Sequence, residues 1–203
     1  MKIITVAHQK GGVGKTTISL NLAYCFAQGA RVAIVDSDPQ ASAANLKEIL
    51  NDHGIALIEA TDIPNVRELY DIVIIDTPPY LTTALPGFFS YSDFVLVPTK
   101  ASILDIMAIR ATIQLLRQAQ SLKAELKALI ILNMVKPVTT LTEDIKEALQ
   151  HYDFPLAETT ISDRVSYTRS PISGGVFETD DNKAKDEIIS LTQEIITALQ
   201  QNQ

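Results

Sequence analysis

The residues best equipped for chemistry stand together near the start of the chain, in His8-Gln9-Lys10-Gly11-Gly12-Val13-Gly14-Lys15-Thr16-Thr17. Glycines at this density let a backbone turn successive N–H groups inward around an anion, a conformation poorly open to residues with a Cβ. A helix beginning at Lys15 adds the partial positive charge of its first turn beneath the same anion. The spacing then brings the Lys15 ammonium to β- and γ-phosphates and the Thr16 hydroxyl to a Mg²⁺ ion, with Thr17 donating to a phosphate. Gly11, Gly12, Val13 and Gly14 form the cradle. One position departs from the usual loop: Gln9 stands where the first glycine belongs, and Lys10 adds a second ammonium group.

Carboxylates form the second group. Asp36 and Asp38 lie in Val35-Asp36-Ser37-Asp38-Pro39-Gln40, and Asp76 ends the apolar run of Tyr70-Asp71-Ile72-Val73-Ile74-Ile75-Asp76-Thr77-Pro78-Pro79. An apolar strand ending in Asp at the carboxyl edge of a sheet is how such folds hold Mg²⁺, usually through water. The plainer alternative is that Asp36 and Asp38 cap a turn before Pro39. Asp71 precedes its strand and reads as a capping or surface residue. Asn133, at the end of another apolar run, is either a turn former or an amide that could read a base.

These groups need a frame, and the hydrophobic pattern supplies one. Lys2–His8, Arg31–Val35, Ile55–Glu59, Ile72–Ile75, Phe94–Val97 and Leu129–Leu132 read as strands, most of them continuously apolar, which means burial on both faces. Lys15–Gln28, Ser102–Ala119, Leu141–Tyr152 and Asp186–Leu199 carry apolar residues at helical spacing, and Ser102-x-x-Asp105 and Thr140-x-x-Glu143 have the polar start of a helix. Strand–helix alternation predicts one α/β domain over residues 1–203, a doubly wound and mostly parallel sheet with helices on both faces. Ligands of such sheets bind outside the carboxyl ends of the strands, where the residues above fall.

Composition narrows the classes. The chain has 203 residues, 46% apolar and 20% charged, the profile of a folded soluble domain of cytoplasmic type. Cys25 is the lone cysteine, so no intrachain disulfide or multi-cysteine metal site is available. The net charge of −7 argues against long-range attraction to nucleic acid or anionic lipid, so any contact with DNA would need a local patch.

The variant loop Lys10-Gly-Gly-Val-Gly-Lys-Thr-Thr17 resembles that of the ParA/MinD family of P-loop ATPases. The likeness extends through Asp36–Gln40 and Asp76–Pro79 to Ile161–Pro171, Gly175–Glu178 and the last helix, and is nearest to the small plasmid-type members. It implies ATP or ADP with Mg²⁺ as ligands, Lys10 reaching across an ATP-dependent homodimer to the other copy's phosphates, and Lys15 acting within its own site. It further implies Asp38 orienting the attacking water, Asp36 in the metal shell with Thr16, Asp76 as the Walker B-type acid, and Asn133 near adenine. Non-specific DNA is expected at Arg164, Arg169, Lys183 and Lys185, which otherwise read as ordinary solvated charges. The implied activity is slow ATP hydrolysis driving plasmid or chromosome segregation, stimulated by a centromere-binding adaptor and nucleoid-associated in the ATP state.

Two alternatives share the loop: an ATP-switched positioning scaffold of MinD-like type, and a small-molecule ligase or kinase. Membrane attachment is not expected, because the tail after Lys185 holds acids and no Lys or Arg.

Overall fold

The computed structural model describes residues 1–37, 46–78, 83–136 and 140–201. Six strands, β1 (Lys2–Val6), β2 (Val32–Asp36), β3 (Ile55–Ile58), β4 (Ile72–Asp76), β5 (Phe94–Lys100) and β6 (Lys127–Asn133), form one sheet in the order β3-β2-β4-β1-β5-β6. Every pairing is parallel. The order places β1 at the centre and aligns the strand ends that carry polar residues. Asp36 and Asp76 are register partners on the adjacent strands β2 and β4.

Both faces of the sheet are buried, as the unbroken apolar runs require. One face presents Ile4, Val6, Ile34, Ile74, Leu96 and Ile131 to α1 (Lys15–Ala27) and α7 (Asn182–Gln200). The other presents Val95, Val97, Ile130 and Leu132 to α3 (Leu85–Tyr91), α4 (Ile103–Leu122) and α5 (Thr140–Gln150). A smaller apolar group, Ile3, Val35, Val73 and Ile75, packs on Ile63 of the 3₁₀ turn Ala60–Asn65. Two short helices complete the chain, α2 (Lys47–Asp52) and α6 (Val165–Arg169). No helix among the described residues is long and apolar enough to cross a membrane.

Local chemistry sets the boundaries. Pro98 lies in β5 beyond the last pairing of that strand with β1, where its missing N–H costs that pair nothing. The Ser102 hydroxyl caps α4 by accepting from the Asp105 N–H at 3.2 Å. Asp181 caps α7 by accepting from the Ala184 N–H at 3.1 Å, so that helix begins at Asn182, four residues before the expected start. Lys183 and Lys185 therefore lie within its first turns.

The segment after α5 adds to the outer edge of β6. Isolated bridges join Ile130 to Leu156 and Val135 to Ser162. Two carboxylates of α7 hold this segment from the other side. Glu194 accepts the N–H groups of Glu158 and Thr159 at 3.0 and 2.8 Å, and Glu187 accepts the Ser162 N–H at 3.1 Å and its hydroxyl at 2.7 Å.

Candidate nucleotide-binding site

The loop between β1 and α1 has the backbone that a phosphate cradle needs. Gly12 (φ 70°) and Gly14 (φ 87°) both take the left-handed conformation, and Gly14 is the N-cap of α1. No side chain caps that N-terminus, and an uncapped helix start of this kind suits an anion. Glycine at 14 is also a steric requirement, since a Cβ there would lie 2.2 Å from the Asn133 Nδ2.

Lys15 is buried, and its ammonium donates to the Lys10 carbonyl at 3.3 Å. One residue on, the Thr16 hydroxyl donates to Asp76 Oδ2 at 2.6 Å, and Ser19 donates to Oδ1 of the same carboxylate at 3.1 Å. Burial pushes the Asp76 carboxyl up to about 6, against the opposing pull of the Thr16 and Ser19 hydroxyls; the nearby Asp36 pushes the same way as burial. Ser37 ties the two strand ends together, its hydroxyl and N–H both donating to the Asp76 carbonyl at 2.6 and 3.1 Å. Thr16, Asp36 and Asp76 thus bring a hydroxyl and two carboxylates to one strand edge beside Lys15. This set of hard oxygen donors, next to a helix N-terminus without a side-chain cap, fits a magnesium-bound polyphosphate.

Asp38, expected to orient the attacking water, lies outside the described residues. Ser19 escaped the sequence reading, although its place three residues after Thr16 on α1 puts both hydroxyls on one helical face.

Lys10 points to its own chain. Its ammonium lies 2.8 Å from Asp105 Oδ1, a buried carboxylate in the first turn of α4 that also accepts from the Ser102 hydroxyl. Ser102-x-x-Asp105 is thus both a helix start and the anchor of the second lysine.

His8 steadies the same loop. Its Nδ1 accepts the Lys10 N–H at 2.8 Å, which puts the ring proton of the neutral form on Nε2. Burial first, and then the Lys15 ammonium, lowers its pKa from 6.5 to about 4. The unfolded chain therefore binds this proton more readily than the folded one between those values, so stability is lost as the pH drops through that window and regained as it rises. Between pH 7 and pH 4, His8→Gln should lose about 3 kcal/mol less unfolding free energy than the unsubstituted protein, measured by urea denaturation. Parallel pH profiles for the two proteins would refute this assignment.

Asn133 is engaged at both ends of its side chain. The amide donates to the Val13 carbonyl at 2.7 Å, and the side-chain oxygen accepts the Met134 N–H at 2.9 Å. It braces the loop from β6, and Met134 beside it takes φ 54°. A cleft next to it is lined by Thr17, Ile18, Met134, Ser162, Arg164 and Tyr167 among others.

Of the four cations expected to meet DNA, Arg164 is committed elsewhere. Its Nε donates to Glu187 at 3.3 Å and its guanidinium lies 3.6 Å from Asp181, so it braces the wall of the cleft beside Asn133. The Tyr167 hydroxyl donates to the same Glu187 at 2.8 Å, and burial with that carboxylate raises its pKa. Arg169 and Lys183 are exposed and Lys185 is half-buried; among the described residues none of these three forms an ion pair.

A family description, the CobQ/CobB/MinD/ParA nucleotide-binding domain, matches residues 4–176, the span that contains the loop, both strand-end carboxylates and the cleft beside Asn133. The chain belongs to this family. One relative within reach, the maintenance of carboxysome distribution protein A of Halothiobacillus neapolitanus, is 31% identical over 206 residues covering 95% of each chain. The sporulation initiation inhibitor protein Soj of Bacillus subtilis is 28% identical over 224 residues, covering 85% of this chain and 88% of its own. The fold is shared with apo McdA from Cyanothece, with a TM-score of 0.81 at 17% identity over 97% of this chain and 99% of that one. It is shared too with the septum site-determining protein MinD of Pyrococcus horikoshii, solved with Mg-ADP, with a TM-score of 0.73 at 19% identity over 96% and 95%. Membership of the ParA/MinD family is what the two-lysine loop implied.

Proposed function

We propose that this chain is an ATPase that positions cargo within the cell, cycling between a monomer and an ATP-bound dimer. The observation that carries the reading is the match over 95% of both chains to a carboxysome distribution protein, made by a chain with the two-lysine loop. The expected segregation of plasmids or chromosomes draws support from the Soj relatives, but the positioning alternative is better supported and replaces it.

In this reading Lys15 and the amides of Gly11–Thr17 hold the β- and γ-phosphates of ATP. Thr16, Asp36 and Asp76 would hold Mg²⁺, which when bound would neutralise phosphate charge. Asp38 orients the attacking water, and the preorganised charges lower the barrier without covalent chemistry on the protein. Asn133 keeps the loop in shape, leaving its second amide hydrogen and one oxygen lone pair for adenine.

Lys10 leaves Asp105 and enters the phosphate site of a second copy. Stranding a buried carboxylate is costly, so this exchange occurs only when the facing polyanion offers stronger attraction. Non-specific DNA serves as the track, met by Arg169, Lys183 and Lys185; pairing two copies doubles those contacts and steepens the salt dependence. A cargo-bound adaptor protein stimulates hydrolysis and releases the dimer.

Sedimentation with ATP, ADP or a slowly hydrolysed analogue, each with and without duplex DNA, tests this directly. Dimers are expected with ATP and the analogue alone, and Lys10→Ala should bind nucleotide yet remain a single copy. A single copy under every nucleotide would sink the proposal and favour a solitary ligase or kinase. ATP-driven assembly with phosphate release indifferent to DNA and adaptor would instead indicate a static scaffold.

A further inference from the structure

Lys10 is gripped at both ends. Its N–H donates to His8 Nδ1 at 2.8 Å, and its ammonium stands 2.8 Å from Asp105 Oδ1. His8 follows β1 and Asp105 lies in the first turn of α4, so this one lysine ties the loop to a helix far away in the chain.

Two buried polar atoms flank that tie. His8 is 1% exposed, and its Nε2 has no hydrogen-bond partner among the described residues. Asp105 is buried as well. The Ser102 hydroxyl serves its Oδ2, whereas Oδ1 meets the Lys10 ammonium and accepts no hydrogen bond from any other group among the described residues. The two atoms are complementary. Because the Lys10 N–H occupies Nδ1, the neutral imidazole carries its proton on Nε2 and can donate, while the carboxylate oxygen can only accept. Among the charges around His8, Lys15 of α1 and Lys10 disfavour a positive ring, and Asp105 of α4 favours one, so ring and carboxylate lie within electrostatic reach. Native proteins rarely leave a buried donor unmet.

In the cycle proposed above, Lys10 leaves for a second copy and Asp105 Oδ1 loses its cation. A buried charge without a partner is strongly unfavourable. We propose that His8 takes the vacated place, carrying its Nε2–H onto Asp105 Oδ1 as Lys10 departs and withdrawing it when Lys10 returns. No proton changes owner: the hydrogen stays on Nε2, and Nδ1 keeps the Lys10 N–H. His8 is thus a positioning residue for the exchange of Lys10, and it lowers the cost of emptying Asp105. Two other donors compete for the role. Lys100, at the end of β5, is only half-buried, so drawing its ammonium inward costs hydration that the already buried imidazole does not lose. Gln9 also has a buried Nε2 without a partner, but its backbone is anchored to Thr112, about two helical turns beyond Asp105.

The inference rests on the proposed cycle only for the reason Lys10 leaves. Lys10→Ala makes that departure permanent in a single copy without nucleotide, so failure here is distinct from failure of the dimer reading. In the full chain with ¹⁵N-labelled histidine, Lys10→Ala should slow solvent exchange of the His8 Nε2–H by about tenfold or more and move its proton signal downfield. Adding Asp105→Ala should reverse both changes. A urea-denaturation cycle over His8→Phe and Asp105→Ala should show about tenfold coupling in the unfolding equilibrium constant in the Lys10→Ala background, and none with Lys10 present. Lys10→Met, which keeps the stem without the charge, gives the same reading if alanine unsettles the loop. Unchanged exchange with no coupling after loss of Lys10 would overturn the proposal, as would coupling of Asp105 to Gln9→Ala or Lys100→Ala in place of His8→Phe.

Discussion

Lys15→Ala should abolish nucleotide binding at concentrations that saturate the unsubstituted protein. Each charge-assisted hydrogen bond from such an ammonium is worth about 1.5–3 kcal/mol, so losing two weakens binding by roughly a hundredfold or more. The fold itself should tolerate the change. Lys15 is buried with its ammonium 3.3 Å from the Lys10 carbonyl, and alanine is a good helix former at the start of α1. Calorimetry should therefore report no ATP binding, and thermal melts should match without nucleotide but diverge with it. Saturating ligand at a hundred times its Kd stabilises a native protein by about 2.7 kcal/mol, a gain the variant should lack. Equal ATP affinity in the two proteins would remove Lys15 from the phosphate site and with it the polyphosphate reading of the loop.

Gly14→Ala should be the most destabilising single-methyl change in the loop. Alanine at φ 87° costs about 1–2 kcal/mol in backbone strain alone. Its Cβ would also stand 2.2 Å from the Asn133 Nδ2 and 3.3 Å from the Met134 side chain, so the 2.7 Å contact from Asn133 to the Val13 carbonyl must break. Leaving those buried groups unmet adds about 1–3 kcal/mol. The sum is a sizeable part of the roughly 5–15 kcal/mol that holds a domain folded. Gly12 provides the control: its φ is 70°, but a Cβ there meets nothing within 4 Å, so Gly12→Ala should show the strain cost alone. Urea denaturation of both variants separates the two contributions, and equal losses would mean that the Asn133 brace has no energetic weight.

The frame was readable because its strands are buried on both faces. Runs such as Ile72–Ile75 have no polar interruption, and only a covered parallel sheet explains that. The strand ends were less legible: β5 and β6 continue to Lys100 and Asn133, polar residues that register pairs with one another at the carboxyl edge. Three helices passed unseen for physical reasons. The six residues of α2 and the five of α6 are too few for a 3.6-residue period to emerge, and α3 contains Pro86 and Gly87, both breakers by local preference.

Within the site, the phosphate loop was fully written in local sequence, since its residues are neighbours in the chain. Contacts across long separations were not. Nothing near Lys10 announces Asp105, which local pattern marks only as part of a helix cap, and nothing near Val13 announces Asn133. Arg164 looked available because its partners, Asp181 and Glu187, arrive only when α7 packs against the segment before α6.

Glu187 and Glu194 sit seven residues apart, hence on one side of α7, and between them moor the stretch from Glu158 to Ser162 that leads into the cleft beside Asn133. The last helix thus holds one wall of that cleft in place without lining it. On the function proposed above, a change of one carboxylate on that helix should alter base preference and residence time, so the tail could retune the proposed cycle while leaving the loop intact.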